Sequence, residues 1–140
     1  MIKSVFICAM ILSWSGLLFG QTMVGLSKEE VIATVKKDHK EFRRDNSVIK
    51  QRFNYLKYVN GPRTKTWIVY FNDQDVCRTS KIVCDYSDYN NMLEDINSRC
   101  RNTGEFQWEF QVDSDTITVE LIKLEWYFTI KETKKKQGRD

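Results

Sequence analysis

The chain has little of the chemistry on which most enzymes depend. It contains one histidine, one proline and six glycines in 140 residues. A Ser-His-Asp or Cys-His pair would have to use His39, and the sequence has no glycine-rich phosphate loop and no G-x-S-x-G or H-E-x-x-H motif. These absences remove the usual signatures of hydrolases, metalloproteases and nucleotide-binding enzymes. The sequence therefore predicts a protein that is not an enzyme and needs no cofactor.

The chain also lacks a strong charge of either sign. Its 22 Lys and Arg residues against 19 Asp and Glu residues give a formal net charge of +3. A nucleic-acid-binding domain usually carries a much larger basic excess, so nucleic acid is not expected as a partner. The four cysteines have no C-x2-C spacing, so a zinc site is not expected either.

The one long apolar run stands at the amino terminus. Lys3 precedes an apolar stretch from Val5 to Leu18, and Gly20 is a small residue before a possible cleavage point. This order is typical of a secretory signal peptide. The run is shorter than the roughly 20 apolar residues that a membrane-spanning helix needs. We therefore expect residues 1–20 to be removed and the mature chain to be secreted or periplasmic, with no transmembrane segment.

The remaining chain is long enough for one domain with its own core, which we place at residues 21–131. Residues 132–140 include three consecutive lysines, and we expect them to form a charged disordered tail. Ser27 and Glu30 have the spacing of a capping box, and apolar residues follow at helical spacing. This pattern predicts a helix over residues 28–39.

A second apolar stripe predicts another helix, which begins near residue 87 or 88. Six segments have the composition or the alternation of strands, three before this helix and three after it. Their approximate ranges are 51–59, 65–71, 76–84, 105–112, 116–122 and 126–130. The order α-β-β-β-α-β-β-β predicts an α+β fold, in which both helices cover one face of an antiparallel sheet. The alternation in the last strand places Trp126 and Phe128 in the core.

The face of the sheet without helices is the predicted binding surface. In the last three strands, the residues that alternate with the apolar ones carry hydrogen-bonding groups and one aromatic ring. We expect this face to bind a macromolecular partner, a protein or another envelope component. A merely solvated sheet face would have the same pattern, and the alternation does not separate the two. The candidate residues are Gln107, Glu109, Thr118, Glu120, Tyr127 and Thr129.

Two pairs of aspartates leave another interpretation open. Asp73 with Asp75, and Asp113 with Asp115, could act as the paired carboxylates of a small cell-envelope hydrolase. Both pairs occupy predicted turns, where aspartate is favoured for its own hydrogen bonds to the backbone. A third interpretation, an inhibitor of an exported enzyme, differs from the binding domain only in its partner.

Three cysteines, Cys77, Cys84 and Cys100, remain after the signal peptide is removed. The rise per residue along the third strand and the second helix brings Cys100 nearer to the beginning of that strand than to its end. We therefore expect a Cys77–Cys100 disulfide. Cys77 and Cys84 are seven residues apart, so on a regular strand one of them faces the helix and the other does not. The sequence does not show which.

The segment Gly25-Leu26-Ser27-Lys28-Glu29-Glu30-Val31 resembles the helix start of small exported α+β domains. The BamE (SmpA/OmlA)-like outer-membrane assembly lipoproteins and the β-lactamase-inhibitor-like domains share this opening of glycine, an apolar residue, Ser or Thr, and a later valine. Residues 55–85 are similar to short exported proteins of Bacteroidota type. These resemblances imply a non-enzymatic adaptor or inhibitor scaffold.

Overall fold

The computed structural model describes residues 22–47 and 52–136. The predicted signal peptide and the last four residues of the predicted tail lie outside this part. The helices are α1 (Lys28–Asp38) and α2 (Tyr89–Arg99), and a short 3-10 helix, η1 (Tyr86–Asp88), precedes α2. The strands are β1 (Phe42–Arg44), β2 (Tyr55–Asn60), β3 (Lys65–Phe71), β4 (Cys77–Asp85), β5 (Arg101–Gly104), β6 (Gln107–Val112), β7 (Asp115–Lys123) and β8 (Tyr127–Lys134).

The eight strands form one antiparallel sheet in the order β1-β2-β3-β4-β8-β7-β6-β5. Within β1–β4 and within β5–β8, each strand pairs with its neighbour in sequence. The two halves meet where β4 pairs with β8. This confirms the predicted α+β class and the antiparallel sheet.

The core lies between the helices and one face of the sheet. Val31 and Val35 of α1 and Ile96 of α2 are buried, and burial of such apolar area is the main term that stabilises the fold. Trp67 on β3 and Ile130 on β8 belong to the covered face. The other buried apolar residues of the sheet are Leu56, Tyr58, Val69, Phe71, Cys77, Cys84, Trp108, Phe110, Ile117, Val119, Leu121 and Phe128.

The amino-terminal end of α1 has the predicted cap. Ser27 Oγ accepts a hydrogen bond from the Glu30 backbone N–H at 3.2 Å, which satisfies one of the free donors of the first turn. The helix ends one residue earlier than predicted, with His39 as its C-cap. Gly25 has a φ of 92°, a conformation that favours glycine, and its N–H donates to the carbonyl of Cys77 at 2.8 Å. This bond joins the segment before α1 to β4.

The sheet differs from the predicted one in three places. Strands β1 and β5 are additional; both are short and polar, and lack the alternation that marks a strand. Strand β8 continues to Lys134, so residues 132–134 belong to the sheet and not to the predicted tail. Trp126 is 79% exposed, whereas Phe128 is fully buried. The expectation for Trp126 is wrong because β8 begins at Tyr127, and alternation does not extend into the preceding turn.

Neither α1 nor α2, the two α-helices of the described residues, has the length and the apolar composition that crossing a membrane requires.

Candidate functional site

The helix-free face is arranged as three rows of side chains that run across the strands. The lysine row consists of Lys57, Ile68, Lys81, Lys131, Glu120 and Gln107. The apolar row consists of Val59, Thr66, Val83, Thr129 and Ile122. The tyrosine-threonine row consists of Tyr55, Tyr70, Thr79, Thr133, Thr118 and Glu109. The three lysines on this face therefore share one row, and Val59, Val83 and Ile122 share the next.

All six predicted binding residues lie on the helix-free side, and four of them adjoin as the cross-strand pairs Gln107–Glu120 and Glu109–Thr118. Gln107 and Glu120 end the lysine row, and Thr118 and Glu109 end the tyrosine-threonine row. Tyr127 is 42% exposed at the start of β8. The six positions are thus distributed over three strands.

Two of the six are not free to contact a partner. Thr129 is 2% exposed, because β8 is an inner strand and Val83 and Ile122 flank Thr129 on either side. The Glu109 carboxylate accepts hydrogen bonds from Lys135 at 2.8 Å and from Arg101 at 3.2 Å. The hydrogen bond from Lys135 is the main reason why the pKa of Glu109 lies below its ordinary value.

A pair of like charges lies at the centre of the helix-free face. Lys81 on β4 and Lys131 on β8 are directly opposite each other, and both are half-buried. Like charges in this position destabilise a sheet. Neither lysine forms an ion pair with any described residue, whereas Lys57 in the same row lies 3.4 Å from Asp45. Lys131 also has Glu120 as its cross-strand neighbour on β7, whereas Lys81 has Ile68 as its neighbour on β3, so Lys81 is the less compensated of the two charges.

An exposed aromatic edge adjoins this face. It consists of Tyr86, Leu124, Trp126 and Tyr127, which are all large apolar side chains with exposed surface. The Tyr86 hydroxyl donates a hydrogen bond to the Leu124 carbonyl, which holds η1 against the turn between β7 and β8. Tyr127 and Thr129 project on the same side of β8. Tyr127 therefore lies beside the apolar row, whereas Tyr86 packs against Phe128 of the helix-covered face, with 5.6 Å between the ring centroids.

A cleft of about 330 Å³ lies on the opposite, helix-covered face. Its walls come from α1 and α2 and its floor from β3, β4 and β8, which places both helices on one face as predicted. Trp67 and Ser80 on the floor are joined by a hydrogen bond from the indole Nε1–H to the Ser80 Oγ, at 2.8 Å. His39 lies at the mouth, half-buried, with its ring centroid 5.0 Å from that of Trp67 in an edge-on contact.

Glu132 on β8 is a carboxyl group on the floor of this cleft. Part of its surface opens to the cleft, but protein surrounds the carboxyl group on its other sides. Burial raises the pKa of Glu132 above its ordinary value, and Asp95 acts in the same direction, whereas the Thr22 hydroxyl and Arg99 oppose the shift. The Thr22 hydroxyl donates to Glu132 Oε2 at 2.6 Å.

The three cysteines of the domain are free thiols in the structure. Cys77 and Cys84 both face the helices, because a bulge in the pairing of β3 with β4 inserts Arg78 between the partners of Tyr70 and Phe71. This bulge removes the difficulty that their spacing creates on a regular strand. Burial raises the pKa of Cys77 and of Cys84 to about 12, so both thiols stay protonated at neutral pH.

The turn aspartates lie outside the cleft and are engaged locally. The Asp75 carboxylate accepts a hydrogen bond from the Asn54 amide at 2.5 Å and lies 3.8 Å from the Lys28 ammonium. Asp115 lies 3.0 Å from the Lys134 ammonium. Asp73 and Asp75 lie in the turn between β3 and β4, and Asp113 and Asp115 lie where β6 turns into β7. Within residues 22–47 and 52–136, no cluster of His, Cys, Asp and Glu has the arrangement of a metal site.

Sequence reasoning missed Lys81, Lys131, Trp126 and Glu132. The alternation of Phe128 and Ile130 extends to Glu132, so a longer strand would have placed that carboxyl group inside. A lysine in a strand of mixed composition is a weaker signal, and the pairing of Lys81 with Lys131 joins strands that are distant in sequence.

Searches of protein-family models, of curated proteins and of solved structures found no match for this chain.

Proposed function

We propose that this chain is an exported, non-catalytic binding domain that docks an acidic partner protein on its helix-free face. The observation that carries the proposal is the Lys81–Lys131 pair. Its mutual repulsion is an unfavourable term in the free domain. A carboxylate of the partner between the two ammonium groups would replace that repulsion with two attractive contacts.

The aromatic edge supplies the apolar part of the same surface. Tryptophan and tyrosine are enriched among the residues that dominate protein–protein binding energy. Tyr127 lies next to the apolar row, and the exposed Trp126 directly precedes it in the chain, so one partner could contact both. The lysine pair then selects acidic partners, and the aromatic side chains contribute most of the affinity.

An exported enzyme is one class of partner that fits this proposal. In that case the domain acts as an inhibitor, which agrees with the scaffold that the Gly25–Val31 resemblance implies. The hydrolase alternative receives less support, because Asp75 and Asp115 are held in local contacts away from the cleft.

Capture of partners from an envelope extract tests the binding surface. We expect immobilised mature protein to retain a partner that is lost, by about tenfold or more, from the Trp126→Ala variant and from the double variant Lys81→Glu/Lys131→Glu. The matched control is Lys36→Glu/Lys37→Glu, which reverses the same number of charges on exposed residues of α1. Equal losses from the control, or full retention by the face variants, would contradict the proposed surface.

A stability measurement tests the like-charge pair without a partner. Lys81→Thr should raise the free energy of unfolding by about 0.2–1 kcal/mol, because it removes the repulsion with Lys131. The gain should shrink in high salt, which screens the charges. Lys57→Thr is the control for the strand preference of threonine; it breaks the contact with Asp45 and should give no gain. Equal stabilisation by both variants would mean that repulsion is not the cause.

Export is tested by the mass of the protein from its own cells. Because the apolar run from Val5 to Leu18 is typical of a cleaved signal peptide, the mature chain should begin close to Gln21. Intact-mass spectrometry of the extracytoplasmic fraction measures this directly. A protein that still contains Met1 would refute export by cleavage.

A further inference from the structure

The cleft between α1 and α2 has the size and the composition of a ligand site. Its volume of about 330 Å³ falls within the range of sites that hold small molecules. Trp67, Met23 and Ile130 on its floor are buried, and Met92 of α2 lies on its wall. A ligand that enters this space would therefore place an apolar group on the floor.

The charges around the cleft favour a cation over an anion. Four carboxylates line it, those of Asp38, Glu41, Asp95 and Glu132, against the two permanent cations Lys65 and Arg99. The Arg99 guanidinium is already occupied, since it donates to Asp95 Oδ2 from Nε at 3.0 Å and from Nη2 at 2.9 Å.

Two of these carboxylates, those of Asp38 and Glu132, form no ion pair with a described residue. One lies at the mouth of the cleft and the other on its floor. Asp38 is exposed at the mouth and has no ion-pair partner among the described residues. It is also the last residue of α1, where the helix dipole is negative and attracts cations. Glu132 lies on the floor, and Thr22 donates to one of its oxygens. Its other oxygen is available to a ligand.

We propose that this cleft binds a small organic cation, an ammonium group attached to an apolar substituent of about the size of one ring. The ammonium group pairs with the carboxyl group of Glu132, and the substituent packs against Trp67. The indole offers a large apolar aromatic surface to the substituent, and its hydrogen bond to Ser80 fixes its orientation. This site is on the opposite face from the proposed protein-binding surface and does not depend on it.

Proton exchange should accompany binding. Glu132 faces Arg99 and Asp95 of α2, the Cys77 thiol of β4 and the Cys100 thiol that follows α2, and burial raises its pKa. A bound cation favours the ionised carboxylate. Binding should therefore release a proton wherever the free carboxyl group is protonated, and affinity should rise as the pH rises through the pKa of Glu132.

Titration of the mature protein with 2-phenylethylammonium, followed by two-dimensional ¹H–¹⁵N NMR, tests the proposal. We expect saturable shifts that include the indole N–H of Trp67. The carboxylate 3-phenylpropanoate, which has a similar size and shape, should bind about tenfold more weakly or worse. Tighter binding of the carboxylate would assign the cleft to anions through Lys65 and overturn the proposal. An absence of saturable shifts at the Trp67 indole would do the same.

Two variants show whether the named carboxylates are responsible. Glu132→Gln keeps the shape of the side chain and should weaken ammonium binding by about tenfold or more, because a charge-assisted hydrogen bond is lost. Asp38→Asn, at an exposed position that should not affect folding, should weaken it about threefold. The control is Glu125→Gln, in the turn between β7 and β8 and away from the cleft. Equal affinities for the control and for both cleft variants would overturn the assignment.

Discussion

Replacing Phe128 by alanine should lower the free energy of unfolding by about 3–5 kcal/mol, the loss expected when a large aromatic side chain is removed from a core. Phe128 is fully buried. Its ring centroid lies 5.6 Å from that of Tyr86 and 5.2 Å from that of Tyr89. The substitution would leave a cavity beneath η1 and the start of α2. Urea unfolding followed by circular dichroism measures the change.

Trp126→Ala is the matched control, because alternation alone predicts the same environment for both residues. Trp126 is exposed in the turn, so its replacement should change the free energy of unfolding by no more than about 0.5 kcal/mol. A large loss in both variants would mean that Trp126 is packed in solution. Such a result would also remove it from the proposed binding surface.

Oxidation of the mature protein by oxidised glutathione should join Cys77 to Cys100 and leave Cys84 as a thiol. Burial is the main reason why the pKa values of Cys77 and Cys100 are raised, and the charge of Glu132 acts in the same direction on both, so both thiols lie near this residue. Cys84 lies at the other end of β4, near Lys65 and Asp88. The bridge would close a loop of about two dozen residues and raise the free energy of unfolding by about 3 kcal/mol.

Peptide mapping without reduction identifies the bridge, and unfolding with and without a reductant measures its effect. Cys84→Ser should still form the bridge and Cys100→Ser should not. A Cys84–Cys100 linkage would contradict the assignment. Three free thiols after complete equilibration with the oxidant would contradict it equally.

The sequence is sufficient for the elements whose signals are local. Strand β3 occupies the predicted range from Lys65 to Phe71, and the capping box at Ser27 locates the start of α1, because both depend on residues close in the chain. The strand β5 was missed because Asn102, Thr103 and Gly104 have the composition of a helix stop. Its pairing with β6, and not its own preference, makes it a strand.

The candidate sites depend on contacts that local patterns do not contain. Alternation placed all six predicted residues on the correct side of the sheet. It could not show that neighbouring side chains cover Thr129, or that Lys135 donates a hydrogen bond to the Glu109 carboxylate. Lys81 and Lys131 are opposite each other only because β4 pairs with β8 in one particular register. The cleft is formed by residues of both helices and of three strands, which no local pattern brings together. The lysines that follow Glu132 favour a tail over a strand at this position.

The seam, which is the pairing of β4 with β8 where the two halves of the sheet meet, also affects how the domain folds. Each half of the sheet is a run of neighbouring hairpins, whose contacts close over short stretches of chain. The seam instead joins residues about fifty positions apart, and closing such a loop costs more conformational entropy. The hairpins of each half can therefore form early, and the step that unites them sets the folding rate. Until that step is complete, β4 and β8 each expose an unpaired edge, so the partly folded chain is most open to aggregation at the strands that carry the lysine pair.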